Sequence, residues 1–150
     1  MPRTLRKPIS NITEQELPTR LRLAIMRLAR RLRQQADADA TPSMLSALAS
    51  IEYRQSVTLG ELAEAERVTP PTMSKIVARL QETELVTRTP DPNDKRIQRL
   101  SLSIRGERFI ARSKSRKNAY LAKKLRKLEP HEVAKLEAAV AVIEKILEDK

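Results

Sequence analysis

Residues 58–103 read TLGELAEAERVTPPTMSKIVARLQETELVTRTPDPNDKRIQRLSLS, and the order of signals in this stretch decides the fold. Thr58 with Glu61 three residues later fits a capping box: the hydroxyl accepts one free backbone N–H at a helix start, and the carboxylate reaches back to another. Leu59, Leu62 and Ala63 give the short helix that follows an apolar side, and Arg67-Val68 breaks it. Thr69-Pro70 repeats the start signal, with threonine as cap and proline at the first helical position, where no N–H is needed. The next helix places Met73, Ile76, Val77 and Leu80 at i, i+3, i+4 and i+7, the spacing of a buried stripe. LVTRT and IQRLSLS then alternate as two short strands around the charged, turn-rich PDPNDKR, which predicts a β-hairpin with a longer loop. Helix, tight turn, helix and hairpin within about 45 residues make a winged helix-turn-helix.

The second helix of such a motif fits the major groove of B-DNA, and the first braces it. With the apolar stripe inward, the opposite face centres on Pro71, Lys75, Ala78 and Glu82, flanked by Thr72, Ser74 and Arg79. Base reading from the N-terminal half of the helix selects Pro71, Thr72, Ser74 and Lys75, with the cap residue Thr69 beside them and Arg79 at phosphate or base. Lys75 can donate to guanine acceptors, and Pro71 and Thr72 can touch a thymine methyl. At the hairpin tip, Asp94 and Arg96 stand two residues apart and so point the same way on extended backbone. Asp94 can brace the turn while Arg96 enters a minor groove, whose negative potential attracts a guanidinium. Lys95 and Arg88 lie where phosphates pass. The competing reading of these residues is an ordinary solvated helix face and a surface turn with a weak ion pair.

Outward from this module the chain is helical on both sides. Leu17, Leu21, Ala24, Ile25, Leu28, Ala29 and Leu32 fall at helical spacing, interleaved with arginines. Pro2 and Pro8 predict a mobile start over the first dozen residues. Thr41-Pro42 opens another helix, continued by Leu45, Leu48, Ala49 and Ile51 or Glu52 to about Arg54. Ser103 caps a helix from Ile104 to about Leu128, which Glu129-Pro130 breaks. In the last helix Val133, Leu136, Val140, Ile143 and Leu147 repeat at 3-4-3-4 spacing, a seam between two helices. The expected class is therefore mainly α with a small β-hairpin wing.

The net charge of +11 favours a polyanionic partner, yet residues 58–103 carry as many acidic as basic groups. The excess lies in the flanking helices, most densely over residues 104–128, where Arg105 and Arg108 could add phosphate contacts.

The run LAEAERVTPPTMSKIVARLQETELVTRTPDPNDKRIQRLSLSIRGERFI resembles the MarR family of winged-helix regulators. Its wing stretch, Asp91-Pro92-Asn93-Asp94-Lys95-Arg96, followed by Leu100-Ser101-Leu102-Ser103 and Gly106, matches the family pattern. The resemblance implies one MarR-like chain over residues 1–150. Its winged helix-turn-helix would span 42–103, with dimerisation helices at 13–40 and 104–150. It also implies a homodimer built from those helices through Leu17, Leu21, Leu128, Val133, Leu136, Val140, Ile143 and Leu147. A palindromic double-stranded DNA operator, and an Asp94–Arg96 wing-tip pair, are further implications. In many such proteins a small anion, often aromatic, binds near the junction of the two regions and relieves repression. Tyr53, Phe109 and Tyr120 are the aromatic residues available to line such a site. Two positions depart from the pattern: Arg67 and Glu84 stand where glycine is usual, at a cost of about 1 kcal/mol each if the backbone there is left-handed.

Other classes fit less well. Without cysteine there are no disulfides or thiolate metal sites, and the sole His131 follows Pro130 at a helix start. With no phosphate-cradling glycine loop and no metal spacing, no enzyme or cofactor is expected. No apolar run approaches the roughly 18 residues that would span a membrane, and no secretory signal precedes the fold, so a cytoplasmic protein is expected. The alternative to a sequence-specific regulator is a non-specific basic architectural or RNA-binding protein that uses residues 104–128, bound through phosphates alone.

Overall fold

A computed structural model describes residues 16–35 and 40–148. Over these residues the chain forms α1 (Glu16–Arg33), α2 (Pro42–Arg54), β1 (Val57–Thr58), α3 (Leu59–Ala65) and α4 (Pro70–Glu82), then β2 (Val86–Pro90), β3 (Gln98–Leu102), α5 (Ile104–Leu125) and α6 (Pro130–Glu148). The expected mobile start over the first dozen residues lies outside the described residues, as do residues 13–15, 36–39 and 149–150 of the expected dimerisation regions.

The helix starts are set by their caps. Thr41, Thr58, Thr69 and Ser103 each hold extended backbone, and each side chain accepts a backbone N–H from the residue three positions on. At Thr58 the reciprocal bond is also made, with Glu61 Oε2 accepting from Thr58 N at 2.8 Å. A neutral cap of this kind contributes about 1 kcal/mol.

Three non-glycine residues take left-handed backbone: Gln55 (φ 64°), Arg67 (φ 53°) and Glu84 (φ 58°). Arg67 and Glu84 are the two positions where the sequence departs from glycine, so the strain expected there is present. Gln55 was not expected. It turns the chain from α2 into β1.

Beneath α4 sits the core. Met44, Leu48, Ile51, Val57, Leu62, Met73, Val77, Leu80 and Leu100 are fully buried, and Phe109 and Ile110 bring the first turns of α5 onto them. In α2 the inward face is Met44, Ala47, Leu48 and Ile51, while Ala49 and Glu52 are exposed, so of the alternatives Ile51 and Glu52 the inward one is Ile51. The stripe starts one residue before Leu45, at Met44, and leaves Leu45 half-buried at its margin.

The wing is larger than a hairpin. β1 pairs antiparallel with β3 through Val57↔Leu100 and Thr58↔Arg99, giving a three-stranded sheet in the order β1-β3-β2. Two residues are too few to show alternation, which is why the sequence gives no sign of β1.

α1 and α6 hold no buried residue. Leu17, Leu23, Ile25, Met26 and Leu28 of α1 are exposed, as are Leu136, Val140, Val142, Ile146 and Leu147 of α6. Leu21, Leu32, Val133 and Ile143 are half-buried. α5 ends at Leu125, not Leu128, so Leu128 lies exposed in the turn before Pro130.

Candidate DNA interface

α4 presents the face expected of it. Met73, Val77 and Leu80 are buried and Ile76 half-buried, while Pro71, Thr72, Ser74, Lys75, Ala78 and Arg79 are exposed. Thr69 and Thr72 share a hydroxyl hydrogen bond of 2.9 Å, so part of their polar capacity is spent on the helix start. Glu82 and Glu84 are exposed at the other end of the helix, where their charge would repel a phosphate.

At the wing tip Asp94 takes Arg96 in a fork: Arg96 Nε donates to Oδ1 at 3.0 Å and Nη2 to Oδ2 at 3.1 Å. The Arg96 backbone N–H also donates to Oδ1, at 3.1 Å. These bonds hold the Asp94 carboxyl below the usual aspartate range, the guanidinium foremost, and raise the affinity of Arg96 for its proton. The arginine side chain remains 91% exposed, a paired cation that still faces solvent. Lys95 and Arg88 are exposed too, and Arg88 Nε donates to Gln81 Oε1 at 3.1 Å, which ties β2 to the last turn of α4.

Several interactions that set this geometry were not anticipated. Asp91, 8% exposed, accepts the backbone N–H of Asn93 and of Asp94 and a 2.6 Å hydrogen bond from Arg99 Nε. Asp-Pro-Asn is an Asx-turn signal and foreshadows the first two bonds; the third depends on the rotation of a cross-strand arginine, which no spacing encodes. Glu66 accepts from both Ser46 and Ser50 Oγ, joining α3 to α2.

The joint between α4 and α5 is equally close. Ser103 Oγ donates to the Glu84 carbonyl at 2.5 Å, and Ser103 N to the Leu85 carbonyl at 3.0 Å. A Cβ on Gly106 would lie 2.0 Å from that Leu85 oxygen, so only glycine lets α5 approach. Beside the joint is a cavity of about 320 Å³ with Met44, Leu85 and Phe109 among its apolar lining and Arg105 and Arg112 among its cations. Of the three aromatic residues only Phe109 lines it: Tyr53 is 89% exposed, and Tyr120 lies half-buried with Lys124 Nζ 5.5 Å from its ring centre.

Among the described residues no helix is long and apolar enough to cross a membrane, and no group of three or more His, Cys, Asp or Glu could hold a metal ion.

The sequence model of the MarR family matches residues 40–98. The HTH-type transcriptional regulator MT0903.1 of Mycobacterium tuberculosis is 34% identical over 121 residues, 80% of this chain and 85% of that protein. A MarR family protein from Bacillus stearothermophilus superposes with a TM-score of 0.77 at 24% identity, covering 91% of this chain and 99% of that one. A variant of MepR from S. aureus, bound to an oligodeoxyribonucleotide, superposes with a TM-score of 0.69 at 20% identity, covering 92% of this chain and 100% of that one. At those identities the two structures show the shared fold. With a relative matched over most of its length and the winged module matched by the family's own pattern, the chain belongs to the MarR family of helix-turn-helix transcriptional regulators.

Proposed function

We propose that the chain works as a cytoplasmic homodimer that binds a palindromic double-stranded DNA operator and represses transcription from it, with a small organic anion relieving the repression. The observation that carries the DNA reading is the joint exposure of Pro71, Thr72, Ser74 and Lys75 on α4 with a fixed, solvent-facing Arg96 on the wing. Lys75 reads guanine, Pro71 and Thr72 meet a thymine methyl, and Arg96 enters the minor groove. Ser74 faces the groove beside them, Arg79 meets phosphate or base, and Thr69, Arg88 and Lys95 lie where the DNA backbone passes. The MepR variant with its bound oligodeoxyribonucleotide supports this use of the fold.

The dimer reading rests on α1 and α6, whose apolar side chains lie exposed. A second copy packed along Leu17, Leu21, Leu128, Val133, Leu136, Val140, Ile143 and Leu147 removes that surface from water. Residues 13–40 and 104–150 then form the dimerisation region and 42–103 the DNA reader. Two-fold symmetry sets two α4 helices into successive major grooves about 34 Å apart. A dimer lying across a promoter excludes polymerase, hence repression.

The cavity beside the α4–α5 joint suits the effector, its apolar lining taking the body of the ligand and Arg105 or Arg112 its carboxylate. The test of the DNA reading is a mobility shift at about 150 mM salt. We expect a preferred palindrome to bind about a thousandfold or more tighter than scrambled duplex. Equal affinities would instead favour a non-specific architectural or RNA-binding protein acting through the basic α5.

A further inference from the structure

We infer that Arg99 is a positioning residue for DNA recognition: it braces the wing tip against α3 and so fixes where Arg96 is presented. The inference rests on the reading of Arg96 as a DNA contact.

Arg99 stands on the central strand, with Thr58 of β1 opposite it on one side and Thr89 of β2 on the other. Its neighbour Leu100 is buried in the core, so alternation turns the Arg99 side chain to the other face of the sheet. There its guanidinium faces two carboxylates from different elements. Nε donates to Asp91 Oδ2 at 2.6 Å, and Nη1 stands 3.9 Å from Glu61 Oε2. Glu61 is itself fixed, because its carboxylate caps the start of α3.

The other oxygen of Asp91 carries the constraint to the tip. Oδ1 accepts from Asn93 N at 2.8 Å and from Asp94 N at 3.1 Å, and Asp94 then grips Arg96. Two backbone bonds close the loop on either side, Asp91 N to the Ile97 carbonyl at 2.8 Å and Ile97 N to the Asp94 carbonyl at 2.9 Å. Every link from α3 to Arg96 is therefore a hydrogen bond or an ion pair between named groups. Arg99 is the only one of these links that joins the wing loop to a helix. Its side chain is only 31% exposed, against 91% for Arg96, which suits a brace and not a reader.

The test is a double-mutant cycle on the full-length chain, read as affinity for one preferred duplex recovered by selection. Arg96→Ala is expected to weaken binding about tenfold, and Arg99→Met, which leaves the Arg96 cation in place but loosens its support, by about threefold. The double variant should bind about as weakly as the weaker single one, because a brace has nothing left to hold once Arg96 is gone. Arg99→Lys, which keeps one donor for Asp91, should fall between wild type and Arg99→Met, and it takes the place of Arg99→Met in the cycle if that variant does not fold. Losses that multiply, to about thirtyfold, would overturn the inference, since Arg99 would then touch DNA itself or support only the fold. So would an Arg99→Met protein that binds normally while Arg96→Ala is impaired. An Arg96→Ala protein that binds normally would instead remove the DNA reading of the wing, and the brace with it.

Discussion

Asp94 and Arg96 form a two-point fork at the tip of the wing, 3.0 and 3.1 Å long, that fixes the arginine while leaving 91% of it in solvent. An exposed ion pair contributes little to stability, about 0–1 kcal/mol. Its value here is geometric: a guanidinium held in one orientation loses less side-chain entropy when it meets DNA.

Removing the fork should therefore affect binding more than folding. Arg96→Ala is expected to weaken both preferred and random duplexes by about tenfold and to lower the slope of log affinity against log salt by about one. Asp94→Ala should weaken binding less, since the cation stays but swings freely. A salt titration of mobility shifts distinguishes the two variants.

Lys75→Ala should behave differently. Lys75 is exposed on α4, and if it reads bases as proposed the loss should be about 1–3 kcal/mol on the preferred site and much smaller on random DNA. Competition between the two duplexes gives the ratio directly.

Backbone geometry gives a matched pair of stability predictions. Gly106→Ala places a Cβ 2.0 Å from the Leu85 carbonyl oxygen, and backbone on both sides leaves little room to yield. The expected loss is about 1–3 kcal/mol, towards the upper end. Arg67→Gly relieves left-handed strain at φ 53° and should gain about 1 kcal/mol. Thermal unfolding at one fixed protein concentration measures both.

Acid should weaken the carboxylate bonds that hold the wing and the start of α3. Asp91 is held below its ordinary 3.8, first by the Arg99 hydrogen bond and then by the Asn93 N–H. Asp94 is held below the same value, first by Arg96, against a smaller opposing push from Asp91. Glu61 is held below 4.5, first by the Thr58 N–H, with Arg99 and Arg54 adding to it. Unfolding raises these pKa values, so the stabilisation is present above about pH 4 and lost as pH falls through the folded values. Asp91→Asn should flatten this acid limb. Circular dichroism or fluorescence melts from pH 5 to pH 2 would show it, and an unchanged limb would count against the Asp91–Arg99 bond.

Much of this was legible in the sequence because caps and stripes are local. Thr41, Thr58, Thr69 and Ser103 announce their helices within four residues, and Met73, Val77 and Leu80 declare the buried side of α4. Knowing that side fixes the exposed one, so the face of α4 followed. The Asp94–Arg96 fork was readable for the same reason, its partners lying two residues apart. What escaped was non-local. β1 exists only because Val57 and Thr58 find Leu100 and Arg99 across the fold, and the Asp91–Arg99 bond spans eight residues and a turn. Ile51 and Glu52 stood as alternatives in α2 because adjacent positions near the end of a stripe leave its rotation open, and packing turns Ile51 inward.

The central claim is sequence-specific reading of duplex DNA by a two-fold pair of α4 helices. Selection of bound duplexes from a random pool by the full-length protein tests it most directly. The expected result is a recovered palindrome whose half-site centres lie about 10 base pairs, one helical turn, apart. A pool that stays random after repeated rounds, while binding remains strong at low salt, would contradict it.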